Sequence, residues 1–167
     1  MQLKRISQLS GFLFVLAIAG TGYSLDSDKD QDILYSSLGR STSRVDGNLR
    51  IITLEQEVKV TQGTLEITGD NAIFQRDLES SSIQRVTVAG SLAHYRQQLD
   101  NEGAIIEGDS EEIHYYVEGE PIVEFIGSAT LRRENDILTC ASIKYFTDSR
   151  FTETTGPCEG VSSRPAN

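Results

Sequence analysis

The stretch that decides the fold is Leu49–Phe74, L-R-I-I-T-L-E-Q-E-V-K-V-T-Q-G-T-L-E-I-T-G-D-N-A-I-F. Apolar and polar residues alternate in it, stop at a turn signal and start again. Val58 and Val60 point one way, while Glu57, Lys59 and Thr61 point the other. Leu65 and Ile67 do the same against Thr64, Glu66 and Thr68. Successive side chains on a strand face opposite sides, so the pattern predicts short strands with one apolar face. Such a ladder either packs that face as a core or keeps it for an apolar ligand.

Downstream the pattern recurs. Turn signals fall at Gln62-Gly63, Gly69-Asp70, Gly90-Ser91, Asn101-Glu102-Gly103, Gly108-Asp109, Glu118-Gly119-Glu120-Pro121 and Glu134-Asn135-Asp136. Between them lie short runs rich in Val, Ile, Thr, Phe and Tyr, each of about four to eight residues. No segment sustains a 3.6-residue period. Even Ser110–Tyr116, the best helical candidate, leads into Ile113, Tyr115 and Val117 at strand spacing. The domain is therefore predicted all-β.

The chain also repeats itself. Residues 51–77 lie over residues 122–148 at a constant offset of 71. Ile52, Leu54, Val58 and Val60 fall on Val123, Phe125, Ala129 and Leu131. Ile67, Thr68, Ala72 and Phe74 fall on Leu138, Thr139, Ile143 and Tyr145. A partial third copy, I-E-G-D-S-E-E-I-H-Y, spans Ile106–Tyr115. One such unit cannot bury its apolar face alone, so stacked copies are implied.

Residues 1–24 read as a signal peptide, with Lys4 and Arg5 preceding an apolar run from Gly11 to Gly20 and small residues at Gly22 and Ser24. That run is too short for a helix spanning a bilayer, which needs about 20 residues. Cleavage near Ser24-Leu25 would leave 167 − 24 = 143 residues, enough for one domain with a core. The formal net charge is −10, and losing the two basic residues makes it −12. That balance argues against nucleic acid and anionic membrane surfaces, which want clustered Lys and Arg. Residues 25–46 read as a polar leader and a possible edge strand with a Ser-rich loop. Residues 47–152 read as the domain and 153–167 as a tail.

Both cysteines, Cys140 and Cys158, lie in the exported part, where an oxidising compartment favours a disulfide. It would close a loop of about 18 residues and stabilise by about 3 kcal/mol in the chain-entropy model. The alternative, a metal site with His94 and His114, has the wrong spacing for a zinc motif.

Two segments carry a family resemblance. One is Gly47–Phe74; the other is I-E-G-D-S-E-E-I-H-Y-Y-V-E-G-E-P-I-V-E-F-I-G-S-A-T-L-R-R-E-N-D-I-L, residues 106–138. Together they resemble the OstA-like (LptA) family of periplasmic lipopolysaccharide-transport proteins, over residues 47–152. The resemblance implies a single twisted β-jelly roll of antiparallel strands with an apolar interior groove. It implies a carrier without catalytic residues or cofactors that moves lipopolysaccharide from the inner to the outer membrane. Its implied partners are the lipid A part of lipopolysaccharide, a membrane-anchored inner-membrane relative, an outer-membrane barrel assembly protein and further copies joined head to tail. The chain departs from the family's pattern in the Ser/Arg-rich segment at residues 36–45, in its cysteine pair and in a short tail without a run of lysines.

The alternation nominates the lining of the interior: Ile52, Leu54, Val58, Val60, Leu65, Ile67, Phe74, Val86, Val88, Tyr95, Ile113, Tyr115, Val123, Phe125, Leu131, Leu138, Ile143 and Tyr145. Exposing a lipid chain of about a dozen carbons to water costs on the order of 10 kcal/mol at about 0.8 kcal/mol per CH₂, and a continuous apolar channel would remove that cost. Given the negative charge, acyl chains should lead binding, with head groups left near solvent and salt mattering little. Two other readings stand beside this one. One is a β-rich scaffold with a filled core. The other is an acid–base enzyme using Asp109, Glu111 or Glu112 and His114, although these sit in a charged turn-to-strand segment.

Overall fold

The computed structural model describes residues 28–99 and 103–162. The expected signal peptide lies outside them. The strands are β1 (Leu34–Ser36), β2 (Ser41–Asp46), β3 (Leu49–Gln62), β4 (Leu65–Asp77), β5 (Ile83–Gln98), β6 (Ile105–Tyr116), β7 (Ile122–Arg133), β8 (Asp136–Phe146) and β9 (Thr152–Ser162). They form one antiparallel sheet in the order β1-β3-β4-β5-β6-β7-β8-β9, with β2 also paired to β3. The sheet does not close on itself.

The central strands are longer than the sequence runs suggested, from 11 residues in β8 to 16 in β5. The reason is that Gly69-Asp70, Gly90-Ser91 and Gly108-Asp109 are bends inside strands, not turns between them. Register breaks fall there in every adjacent pair, at Glu55/Val58, Thr68/Asn71, Ala89/Ala93, Asp109/Glu112, Ile126/Ala129 and Cys140/Ser142. Bulges bend strands and increase their twist. Lined up across the sheet, these breaks make one crease that doubles the sheet into two facing flaps.

Contacts across the fold show that the flaps meet. Phe125, beyond the crease on β7, packs edge-on against Tyr95 with ring centroids 5.5 Å apart. Its ring also fills the space over Gly108, where an added Cβ would overlap it. Glycine is thus required at the centre of the I-E-G-D segment because an aromatic ring lies where a side chain would go. Tyr35 of β1 stacks on Phe74 at 4.7 Å.

The internal repeat is real in three dimensions. Ile52↔Phe74, Leu54↔Ala72 and Val60↔Ile67 reappear 71 residues on as Val123↔Tyr145, Phe125↔Ile143 and Leu131↔Leu138. Even the backbone follows: positive φ at Gln56 and Glu57 (64° and 48°) recurs at Gly127 and Ser128 (80° and 49°). These are the bulge residues of β3 and β7.

Three expectations for the ends need correction. The Ser-rich stretch is not a loop, because Ser41–Asp46 pairs along β3. The residues after Phe151 are not a loose tail, because Thr152–Ser162 pairs along β8. The leader is not free where it is described, because Asp28 is buried and bonded as set out below.

Candidate functional site

The alternation places the predicted interior residues on the inner faces of both flaps. All of them are buried except Ile52 and Leu138, which are half-buried and pack against the same cluster. Val60, Ile67, Phe74, Val86, Val88, Tyr95, Ile113, Val123, Phe125 and Ile143 are 0 % exposed. The sequence reading missed Ala72, Ala93, Leu99, Ile106 and Ala129, which belong to the same cluster. Ile106 opens the I-E-G-D segment at inward parity and was legible there. The alanines carry too little apolar surface to mark a face.

The interior differs from the hollow that the alternation suggested. In the middle the two faces meet, with Tyr95 against Phe125. At the β8–β9 end it opens into a cavity of about 350 Å³, whose walls include Ile106, Leu131, Leu138 and Tyr145. An acyl chain entering here parts one apolar surface from another and replaces both contacts. That exchange costs far less than exposing the chain to water.

Opposite the crease, polar groups tie the flaps together. Gln62 donates through Nε2 to the carbonyls of Lys29 and Gln31 (3.2 and 3.0 Å) and accepts the Tyr115 hydroxyl at 2.7 Å. Asp28 accepts from the Thr64 amide at 2.9 Å and from Gln97 Nε2 at 3.0 Å. Gln97 in turn accepts the Tyr95 hydroxyl at 2.6 Å. Burial pushes the Tyr95 and Tyr115 hydroxyls well above the ordinary tyrosine range, so both remain neutral donors in this network. Buried polar groups must be partnered, and residues 28–31 supply those partners.

The outer face is charged. Asp109 is bound by His94 Nδ1 at 2.7 Å and by the Arg132 guanidinium. Burial raises its pKa, but the hydrogen bonds from Arg132 and His94 outweigh burial and hold the carboxyl below the usual range. His114 engages Glu112 and Tyr116 instead. The residues that suggested acid–base chemistry are thus divided between two ion-paired sets on a solvated face. The two cysteines pair directly across β8 and β9 and form the disulfide Cys140–Cys158. The alternative Cys–His metal site therefore loses its thiolates.

Comparison with known proteins now decides the family. Residues 41–151 match the family described as LptA/(LptD N-terminal domain) LPS transport protein. The chain belongs to that family. It is 26 % identical over 145 residues to the lipopolysaccharide export system protein LptA of Haemophilus influenzae, covering 86 % of this chain and 81 % of that one. It is 28 % identical over 131 residues to LptA of Escherichia coli K12, covering 78 % and 68 %. The crystal structure of LptH, the LptA-homologous periplasmic component from Pseudomonas aeruginosa, superposes with a TM-score of 0.73 at 20 % identity, covering 83 % of this chain and 99 % of that one. The last likeness establishes the fold.

Proposed function

We propose that this protein is a non-enzymatic periplasmic carrier for lipopolysaccharide, holding the acyl chains between the two flaps and passing them toward the outer membrane. The observation that carries the reading is the single unclosed sheet doubled over a continuous apolar interior. An unclosed sheet can admit a chain sideways and leaves edges for neighbours. The free side of β3 carries β1 and β2, and β9 lies at the far edge. Unpaired edges invite strand addition. On β9 the edge is interrupted by Gly156 and Pro157, and proline cannot donate to a partner strand. Addition there therefore uses Cys158–Ser162 or Thr152–Thr155. The partners proposed are further copies head to tail, a membrane-anchored relative upstream and the outer-membrane barrel assembly downstream. Export through residues 1–24 belongs to the same proposal.

A photoreactive residue tests it. Placed at Phe125 or Val60 it should crosslink to lipopolysaccharide, and placed at Lys59 on the outer face it should not. Equal crosslinking from inner and outer positions, or none from either, refutes the carrier reading.

A further inference from the structure

The mouth of the interior at the β8–β9 end carries two features that a plain apolar core does not need. The first is Tyr145. Its hydroxyl is buried in the cavity wall with no hydrogen-bond partner, and its side chain is 2 % exposed. Buried hydroxyls are normally partnered, so an orphan at the wall of a cavity marks a place for a ligand atom. The second is a pair of cations. In β7 the inward positions run Val123, Phe125, Ala129 and Leu131, and the next is Arg133. Arg150 lies on the same rim and gives one N–H to the Leu99 carbonyl at 2.9 Å. Among the described residues Arg133 has no ion-pair partner. Burial raises the pKa of the Tyr145 hydroxyl, and the Arg133 and Arg150 charges oppose that rise, which places both guanidinium groups within electrostatic reach of it. In a chain of net charge −10, two arginines over an apolar opening are a local reversal of sign.

We propose that this mouth is a binding site for the junction between an acyl chain and an anionic head group. The chain lies along Ile106, Leu131 and Leu138. Tyr145 donates its hydroxyl to an oxygen where chain meets head. Arg133 and Arg150 hold a phosphate. A cavity of about 350 Å³ is at the small end of the range for small-molecule sites, about 300–1,000 Å³, and suits one chain of a lipid rather than the whole molecule. The occupant is a single phosphorylated acyl lipid of the lipid A class. This inference rests on the carrier reading and adds a head-group station at one end of it, where the net charge alone predicted none.

The test uses the disulfide-bonded chain and two monomeric probes of equal tail length, dodecyl phosphate and dodecyl maltoside, with affinity measured by calorimetry. The double variant Arg133→Ala, Arg150→Ala should bind dodecyl phosphate at least about tenfold more weakly, as expected for lost charge-assisted hydrogen bonds, and dodecyl maltoside unchanged. The Lys variants at both positions should recover most of the loss. Added salt should weaken only the phosphate probe. Tyr145→Phe should weaken both probes about fivefold. Both arginines are exposed, so their loss does not threaten the fold. Phosphate binding indifferent to the arginines overturns the proposal. So does probe binding that disappears as protein concentration rises, since a second copy would then cover the mouth. The interior crosslink separates the two readings: if it persists from Phe125 while the arginines prove irrelevant, the carrier stands and the station falls.

Discussion

The two ends of the sheet are exposed to the same degree and held in different ways. All of β2 is exposed, and so is every residue of β9 beyond Thr152. Neither strand has a buried face to anchor it. β2 is continuous with β3 through the tight turn at Gly47-Asn48, with Gly47 at φ 61°. Beside it, Tyr35 of β1 packs on Phe74, and residues 28–31 knit into the buried network of Gln62 and Gln97. At the other end β9 has its ladder to β8, and a disulfide placed mid-strand where packing is lacking. One end is shut by a polar strap. The other is pinned covalently and left open over an apolar mouth. The lesson is that a sheet with two solvated edge strands needs a separate device at each end, and the devices chosen here leave only one end fit to take a chain.

Four perturbations sharpen the contrast. The largest acts on what both ends share. Phe125→Ala removes the ring that spans Gly108 and Tyr95 and should lower unfolding free energy by about 3–5 kcal/mol in urea melts. Amide exchange should quicken at both ends alike. Reducing Cys140–Cys158 should act at one end only. It should cost about 3 kcal/mol in the chain-entropy model, with β9 amides exchanging fast and β2 amides unchanged. Equal loosening of β2 would break the comparison.

Asp28→Ala is the counterpart at the closed end. It strands Thr64 and the buried Gln97 and should cost about 1–3 kcal/mol, with exchange quickening near Thr64 and Gln97 but not in β9. The smallest effect has the opposite sign. Tyr145→Phe deletes an unpartnered buried hydroxyl and should stabilise the free protein by about 1 kcal/mol, seen as a raised Tm. A loss of stability there would mean the hydroxyl is already satisfied, and the mouth would lose its mark.

What the sequence disclosed follows from where alternation holds. Inner-face parity was legible from Ile52 to Tyr145 because those strands have one buried and one wet face, and such strands write a period of two. The edge strands were not legible. S-T-S-R-V-D and T-E-T-T-G-P-C-E-G-V-S have no buried face, so backbone pairing alone makes them strands and no side-chain pattern records it. The glycines misled for a related reason. Gly69 and Gly108 relieve crowding at a crease, against Val88 and Phe125, and a close approach asks for the same residue that a turn does. The capping role of Asp28 was beyond reach, since its partners Thr64 and Gln97 lie 36 and 69 residues away.

The central claim is that two apolar flaps part to admit a lipid chain. Spin labels on the outer faces, at Lys59 on one side of the crease and Gln75 on the other, report the flap separation by pulsed electron resonance. Adding lipid A should lengthen and broaden that distance, and removing the lipid should restore it. A distance unmoved by lipid that is bound would contradict the account.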